Sequence, residues 1–385
     1  MSVVVPAGFQ AAGLAAGIKA SGEFDMAMIA ADRPVAAAGI FTTSRTAAPP
    51  VAVSRSHLAD GAARAVVVNS GAANAGTGEA GRSDAFDMAT VTAQALGCRP
   101  TDVLVCSTGP IGGRLPMDVI RPGIAQLASD LGTTERHGLA AARGIMTTDS
   151  VPKLASGEGD GWSIGGIAKG AGMVRPDMAT MLAFLTTDAA VDAATLDRSL
   201  RLAADVSFNS LNIDGCQSTN DTVLLLASGD SGVSAEPEEF ASILEEVCRS
   251  LALQMAADAE GASKVVTLEV TGAPDSRSAR RLGMTVADSA LVRSSFYGAD
   301  PNWGRVLAAL GVAGVDIEPT DIDIAYAGVT VCSAGVAVGF DEDVLVAHLK
   351  GDFAMEIRVG HGPGQARVVT TDLTPDYVVF NGERS

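Results

Sequence analysis

The sequence predicts an α+β protein built from sheet layers covered by helices, and three observations point there. Short apolar runs bounded by turn residues recur along the chain, and they outnumber the helices that could serve as crossovers, which argues against a doubly wound parallel sheet. The chain has 385 residues of which 47% are apolar, enough for two domains or one large one. No internal repeat or low-complexity segment is present.

Taken in order, residues 8–19 form a small-residue opening with no clear period. Residues 35–41 and 50–53 read as strands. A buried strand over 65–68 runs into Asn69-Ser70-Gly71-Ala72-Ala73-Asn74-Ala75-Gly76, a loop of turn-favouring residues. Ser83 suits the N-cap of an amphipathic helix to about residue 96, closed by Gly97. The strand 103–106 breaks into Ser107-Thr108-Gly109-Pro110. A helix over about 136–145 stops at Met146-Thr147-Thr148-Asp149, and a glycine-rich acidic interval, 157–161, leads into the strand before Lys169.

Further on, a helix spans about 193–206, and the polar stretch 212–222 enters a strand at 223–227. The longest helical pattern, 236–259, carries acidic residues at its start, where they complement the helix dipole, and it ends at Glu260-Gly261. Strands are expected at 265–270, 322–326, 354–359 and 367–371. Helices are expected at 287–296, 303–310 and 343–349.

Composition excludes several partners. A net charge of −18 lacks the basic footprint that nucleic acids and anionic membranes require. Any anionic substrate must then be held by local cations against the overall field. Mean hydropathy is +0.27, yet apolar stretches break well before the roughly 20 residues of a membrane span. Met1-Ser2-Val3-Val4-Val5-Pro6 has no signal-peptide pattern, so a cytoplasmic location is expected. Five scattered cysteines fit reduced, mostly buried thiols.

Most familiar catalytic motifs fail on context. Gly161-Trp162-Ser163-Ile164-Gly165 matches the nucleophile-elbow string, but a loop precedes it and more glycines follow where a helix is required. None of the four histidines adjoins a nucleophile in sequence. No phosphate loop, dinucleotide fingerprint or zinc-protease motif is present, so neither metal nor cofactor is expected.

One stretch carries chemistry instead. Lys169-Gly170-Ala171-Gly172-Met173 leads through Pro176-Asp177-Met178-Ala179 to Thr180 and the apolar run 181–187. Proline stops a helix, and the run reads as a buried strand, so Thr180 sits where a loop feeds the core. A threonine there is either an ordinary strand start or a rigidly held nucleophile. Without a histidine base, a hydroxyl can be activated by its own α-amino group once the preceding peptide bond is cut. That amine's ordinary pKa of about 7.7–8.0 suits general-base work. Thr108-Gly109, just past a strand, could offer a hydroxyl and a backbone N–H to an oxyanion, or could be plain turn punctuation.

These segments, together with Ser218-Thr219-Asn220-Asp221-Thr222 and Asp300-Pro301-Asn302-Trp303-Gly304-Arg305, resemble in order the ornithine acetyltransferase (glutamate N-acetyltransferase, ArgJ) family of arginine biosynthesis. The resemblance implies the α/β/β/α two-sheet sandwich of that family, similar to N-terminal-nucleophile hydrolases. It implies self-cleavage between Ala179 and Thr180 into fragments 1–179 and 180–385, which stay together and pair as a heterotetramer. Thr180 would then pass an acetyl group from N-acetylornithine to glutamate by a ping-pong exchange. Acetyl-CoA is a further candidate donor.

Carried over motif by motif, Thr108 and Gly109 form the oxyanion hole, while Thr147, Lys169, Thr180, Glu260 and Asn381 contact substrate. Lys169 suits a carboxylate and Glu260 an ammonium. The C-terminus departs from the family pattern, closing Asn381-Gly382-Glu383-Arg384-Ser385, with Ser385 the candidate terminal contact. A self-processed aminopeptidase or amidase of related fold, passing its acyl group to water, is the alternative reading.

Overall fold

A computed structural model describes residues 1–175 and 181–383. In chain order its strands and helices are β1 (Phe9–Leu14), β2 (Met26–Phe41), α1 (Pro49–His57), β3 (Ala62–Ser70), α2 (Gly78–Leu96), β4 (Val103–Thr108), α3 (Met117–Ser129), α4 (Glu135–Gly144), β5 (Lys153–Gly159), β6 (Trp162–Lys169), β7 (Leu182–Thr187) and α5 (Ala193–Asp205). There follow β8 (Leu211–Asn212), β9 (Thr222–Ala227), α6 (Pro237–Ala257), β10 (Val265–Ala273), α7 (Ser276–Asp288), α8 (Ala290–Tyr297), α9 (Trp303–Gly311), β11 (Asp323–Tyr326), β12 (Val329–Ser333), β13 (Val336–Ala337), α10 (Glu342–His348), β14 (Phe353–Arg358), β15 (Gly364–Thr371) and α11 (Pro375–Gly382). They form two mixed sheets with helices, the α+β class the sequence predicts.

The chain divides into two compact units. The first comprises 1–209 and 216–255, the second 210–215 and 256 onward. In the first unit eight strands run in the order β4-β3-β2-β9-β7-β6-β5, with β1 also on β2. Long β2 is the hinge of this sheet. Its first half pairs with β3 and β1, its second half with β9, and the register shifts between Ala30 and Val35. Were the sheet flat, β4 and β6 would lie five strand spacings apart, about 24 Å. Instead Lys169 Nζ at the end of β6 meets Thr108 Oγ1 at the end of β4 at 3.1 Å.

The sheet therefore folds back on itself. Val66, Val68 and Leu104 of one half share a core with Ile167, Leu182, Phe184 and Leu224 of the other. On the outer face of the first half, Val67, Val103 and Val105 pack against Met88 and Ala89 of α2 and Ile120 and Ile124 of α3. Against the second half lies α6, with Phe240 on Trp162 at 5.5 Å between ring centroids and Gln254 Nε2 donating to Leu154 O at 3.0 Å. Helix, sheet, sheet and helix thus layer within this unit, its two β-layers joined through β2.

Three sequence expectations are corrected. Residues 50–53 lie in α1, not a strand: Pro49-Pro50 occupies the first helical turn, where a missing N–H costs nothing. Ser54 and His57 then cover the open edge of β4, through Val105 and Val103. The helix expected from Ser83 begins at Gly78, and Gly97 ends it in the left-handed conformation, as expected. The helix placed at 287–296 is two helices, α7 and α8, parted at Ser289, whose side chain accepts the N–H of Val292.

In the second unit the order is β13-β12-β11-β14-β10-β15-β8. Leu268 and Val270 of β10, Val368 of β15 and Leu282 and Val286 of α7 belong to its core. Among the described residues no helix is long and apolar enough to cross a membrane.

Candidate active site

In the first unit the fold-back collects residues from several segments. Parallel pairing of β3 with β4 sets Ser70 beside Thr108. Gly109 follows at φ +136°, a conformation that favours glycine; a Cβ there would lie 2.5 Å from the Ala72 nitrogen. Thr108 and Gly109 are therefore held in a tight strand exit. The Asn69–Ala75 segment makes its walls. Asn69 accepts from Ser107 Oγ at 2.6 Å and donates to Ala72 O at 2.8 Å. Ser70 Oγ donates to Gly144 O, fastening β3 to the end of α4.

Lys169, 2% exposed, ends β6 and brings its ammonium to the Thr108 hydroxyl. An ammonium has donors only, so Thr108 Oγ1 accepts this bond and its own proton remains to be donated elsewhere. The sequence brought Thr108 and Lys169 forward as separate candidates, and the structure joins them.

Asp149 organises the cationic side. Its Oδ1 accepts from Lys153 Nζ at 2.6 Å and from Gly170 N at 2.7 Å, and its Oδ2 from Thr147 N at 3.0 Å. Burial pushes the Asp149 carboxyl up, but the charges of Lys169 and Lys153 outweigh it and hold the group below the usual carboxylate range. Thr147, half-buried, is thus fixed through its backbone beside the same carboxylate that anchors the loop after Lys169.

Lys19 closes the cluster, donating to Phe24 O at 2.6 Å and Met146 O at 2.8 Å. Burial lowers its pKa, with Lys169 adding to the effect and Asp25 and Asp149 opposing it. The backbone N–H groups of Ala16, Gly17, Ile18 and Lys19 all converge on the Asp25 carboxylate. Sequence alone assigns no role to Asp149 or Lys19. The available signal was a carboxylate and a lysine lodged among small, turn-forming residues.

Asn220 ties the loop before β9 to this region, donating to Ala73 O at 2.6 Å and Ser107 O at 2.9 Å. Asp221 accepts from Met181 N at 2.9 Å, in a position set by the parallel pairing of Leu182 with Thr222. Burial raises the Asp221 carboxyl well above the ordinary range, against the opposing pull of the Met181 N–H and the Lys169 charge. Nearby Cys106 is no rival nucleophile, since burial pushes its thiol up to about 12.

The second unit holds Glu260 and Asn381. Glu260 is half-buried in the turn after α6. At Gly261, φ is +65° and a Cβ would lie 2.3 Å from the Tyr377 nitrogen, so this turn backs onto the start of α11. Thr374 caps that helix by accepting from Tyr377 N, and it donates to Gly261 O. Asn381 is exposed at the far end of α11, donating to Tyr377 O at 3.0 Å. Ala179, Thr180 and Ser385, the expected cleavage pair and terminal contact, lie outside the described residues.

A sequence model of the ArgJ family matches residues 10–385. The chain belongs to the ArgJ family. It is 47% identical to the arginine biosynthesis bifunctional protein ArgJ of Thermobifida fusca (strain YX), over the whole of both chains. The ArgJ of Geobacter sulfurreducens is 44% identical over 98% of each. Among solved structures, the arginine biosynthesis bifunctional protein ArgJ of Bacillus halodurans is 34% identical with a TM-score of 0.50, covering 51% of this chain and 96% of its own. ArgJ relatives thus match this chain from end to end, the second unit included.

Proposed function

We propose that this chain is an arginine-biosynthesis acetyltransferase that cleaves itself between Ala179 and Thr180. The freed Thr180 takes the acetyl group of N-acetylornithine on its hydroxyl, releases ornithine, and passes the acetyl group to glutamate. The new α-amino group takes the hydroxyl proton as the acyl bond forms and gives it to the departing ornithine nitrogen; in the second half it takes a proton from the attacking glutamate nitrogen and gives it to the Thr180 oxygen as that bond breaks. Thr108 and Gly109 donate to the oxyanion of each tetrahedral intermediate. Lys169, Thr147, Glu260 and Asn381 bind substrate, with Ser385 as a terminal contact. Fragments 1–179 and 180–385 remain together and pair as a heterotetramer in the cytoplasm. Acetyl-CoA serves as a second donor, which would fit the word bifunctional in the relatives' names.

The bond from Lys169 to Thr108 carries this reading. It leaves the Thr108 hydroxyl proton uncommitted to Lys169 and beside a buried cation, the arrangement a developing oxyanion needs.

Two measurements test the proposal. A denaturing gel of freshly purified protein should give two bands, with Thr180→Ala giving one; a single band for the wild type removes self-cleavage. Ornithine release from N-acetylornithine should depend on glutamate and yield N-acetylglutamate. Release indifferent to glutamate would mean that water takes the acyl group, as in an amidase.

A further inference from the structure

Lys19 reaches the backbone on either side of the site. Its ammonium donates to Phe24 O at 2.6 Å and to Met146 O at 2.8 Å. The second carbonyl belongs to the peptide unit that joins Met146 to Thr147. The N–H of that same unit donates to Asp149 Oδ2 at 3.0 Å. One peptide plane is thus gripped at both ends, its oxygen by a cation and its nitrogen by a buried carboxylate.

That grip fixes direction as well as place. A peptide unit is planar, so holding its oxygen and its N–H together stops it from turning between its two Cα atoms. The dihedrals that flank the plane, ψ of Met146 and φ of Thr147, are held with it, and they aim the Thr147 side chain.

Lys19 is itself well anchored. Besides the four N–H groups that converge on its carboxylate, Asp25 accepts from Ser70 N at 2.7 Å through its backbone oxygen, which ties this turn to the end of β3. The Lys19 stem lies over Gly71, at φ +101°, where a Cβ would come 3.0 Å from Lys19 Cγ. A Cβ on Gly109 would in turn lie 2.6 Å from the Gly71 carbonyl carbon. Lys19 therefore stands between the Gly109 turn and the Thr147 loop.

We infer that Lys19 is a positioning residue that orients the Met146–Thr147 peptide and through it presents the Thr147 side chain to substrate. The inference rests on the reading of Thr147 as a substrate contact. Two of the three ammonium hydrogens are committed to main-chain carbonyls, which suits a brace for the backbone. Asp149, the other arm of the clamp, also holds Lys153 and the Gly170 nitrogen, so Lys19 is the arm whose loss isolates the effect.

The test is steady-state acetyl transfer by Lys19→Met, which keeps a stem against Gly71 and removes the ammonium. KM for N-acetylornithine and for glutamate should rise about three- to tenfold, the worth of about one hydrogen bond, while kcat stays within about twofold. A merely structural role would lower the active fraction instead, so that kcat falls and KM does not move. Lys19→Gln, whose amide can still donate to Met146 O, should recover part of the loss. In a Thr147→Ala background Lys19→Met should raise KM no further, because its effect passes through that side chain.

An unchanged KM in Lys19→Met overturns the inference. So does a full additional rise in the Thr147→Ala background, which would mean that Lys19 acts on substrate by another route. If Lys19→Met does not fold, Lys19→Gln takes its place in the same cycle. If neither folds, Thr147→Ala decides: a raised KM supports the inference and a wild-type KM overturns it. A wild type that never cleaves, or that releases ornithine without regard to glutamate, instead removes the proposed function, and the wild type alone reveals that failure.

Discussion

Asp149 shows how one residue sets both the stability and the electrostatics of the site. It is buried between two lysines and binds two loop nitrogens, so its removal strands cations inside the protein. Asp149→Asn should cost about 3–5 kcal/mol, read by urea unfolding at pH 7, because half of a buried pair is worse than none. The pH dependence follows from the direction of its shift. A carboxyl held below its unfolded value contributes stability that is complete above that value and is lost as pH falls through the folded one. Wild-type stability should therefore drop on acidification below about pH 4, the unfolded carboxylate value, and that part of the drop should be missing in Asp149→Asn. A variant as acid-sensitive as the wild type would show that other groups carry the transition. Thr108, Gly109 and Lys169 were legible in the sequence because they stand in distinctive strings at strand ends. Asp149 and Asp221 stood in quoted strings too, but what distinguishes them is burial and convergence of donors from distant segments, which a string does not contain.

At the scale of elements, hydrophobic run length read most strands well, and glycine or acidic punctuation placed the C-terminal end of α2 and the start of α6. What failed had specific causes. The opening 8–19 contains β1, whose alanines and glycines give no alternation; it is defined by pairing with β2. Helix α3 went unread because Pro122 sits inside it, and its apolar side chains are ordered by α2 and the sheet. Residues 50–53 are apolar enough for a strand, yet the two prolines commit the segment to a helix that the edge of β4 then uses. Ser54 Oγ both donates to Val105 O and accepts from Val105 N, each at 2.7 Å, replacing a missing neighbouring strand. Ser54→Ala would leave both backbone groups buried without partners, at about 1–3 kcal/mol each. The expected result is a stability loss of about 2 kcal/mol or more and faster amide exchange at Val105. Unchanged exchange at Val105 would mean that another group covers this edge.

For the molecule as a whole, the expected cut does not fall between compact units. It falls inside the first, and the strands it would divide are interleaved. Fragment 1–179 would own β1 to β6, while 180–385 would own β7 and β9. In the sheet β9 lies on β2 and β7 lies on β6, so both borders between the fragments are full ladders, 36–41 against 222–227 and 164–169 against 182–187. Leu182, Phe184 and Leu224 from one fragment also fill the core beside Val66 and Leu104 from the other. Such a border is held by burial and backbone hydrogen bonds, neither of which salt screens as it does surface ion pairs. The two fragments should consequently elute as a single species through 1–2 M sodium chloride, about tenfold above physiological ionic strength. They should part only at denaturant concentrations that abolish the far-ultraviolet circular dichroism of the sheet. Separation in salt, with the dichroism intact, would mean that the fragments meet at a surface and that this interleaved sheet is not how the processed protein is built.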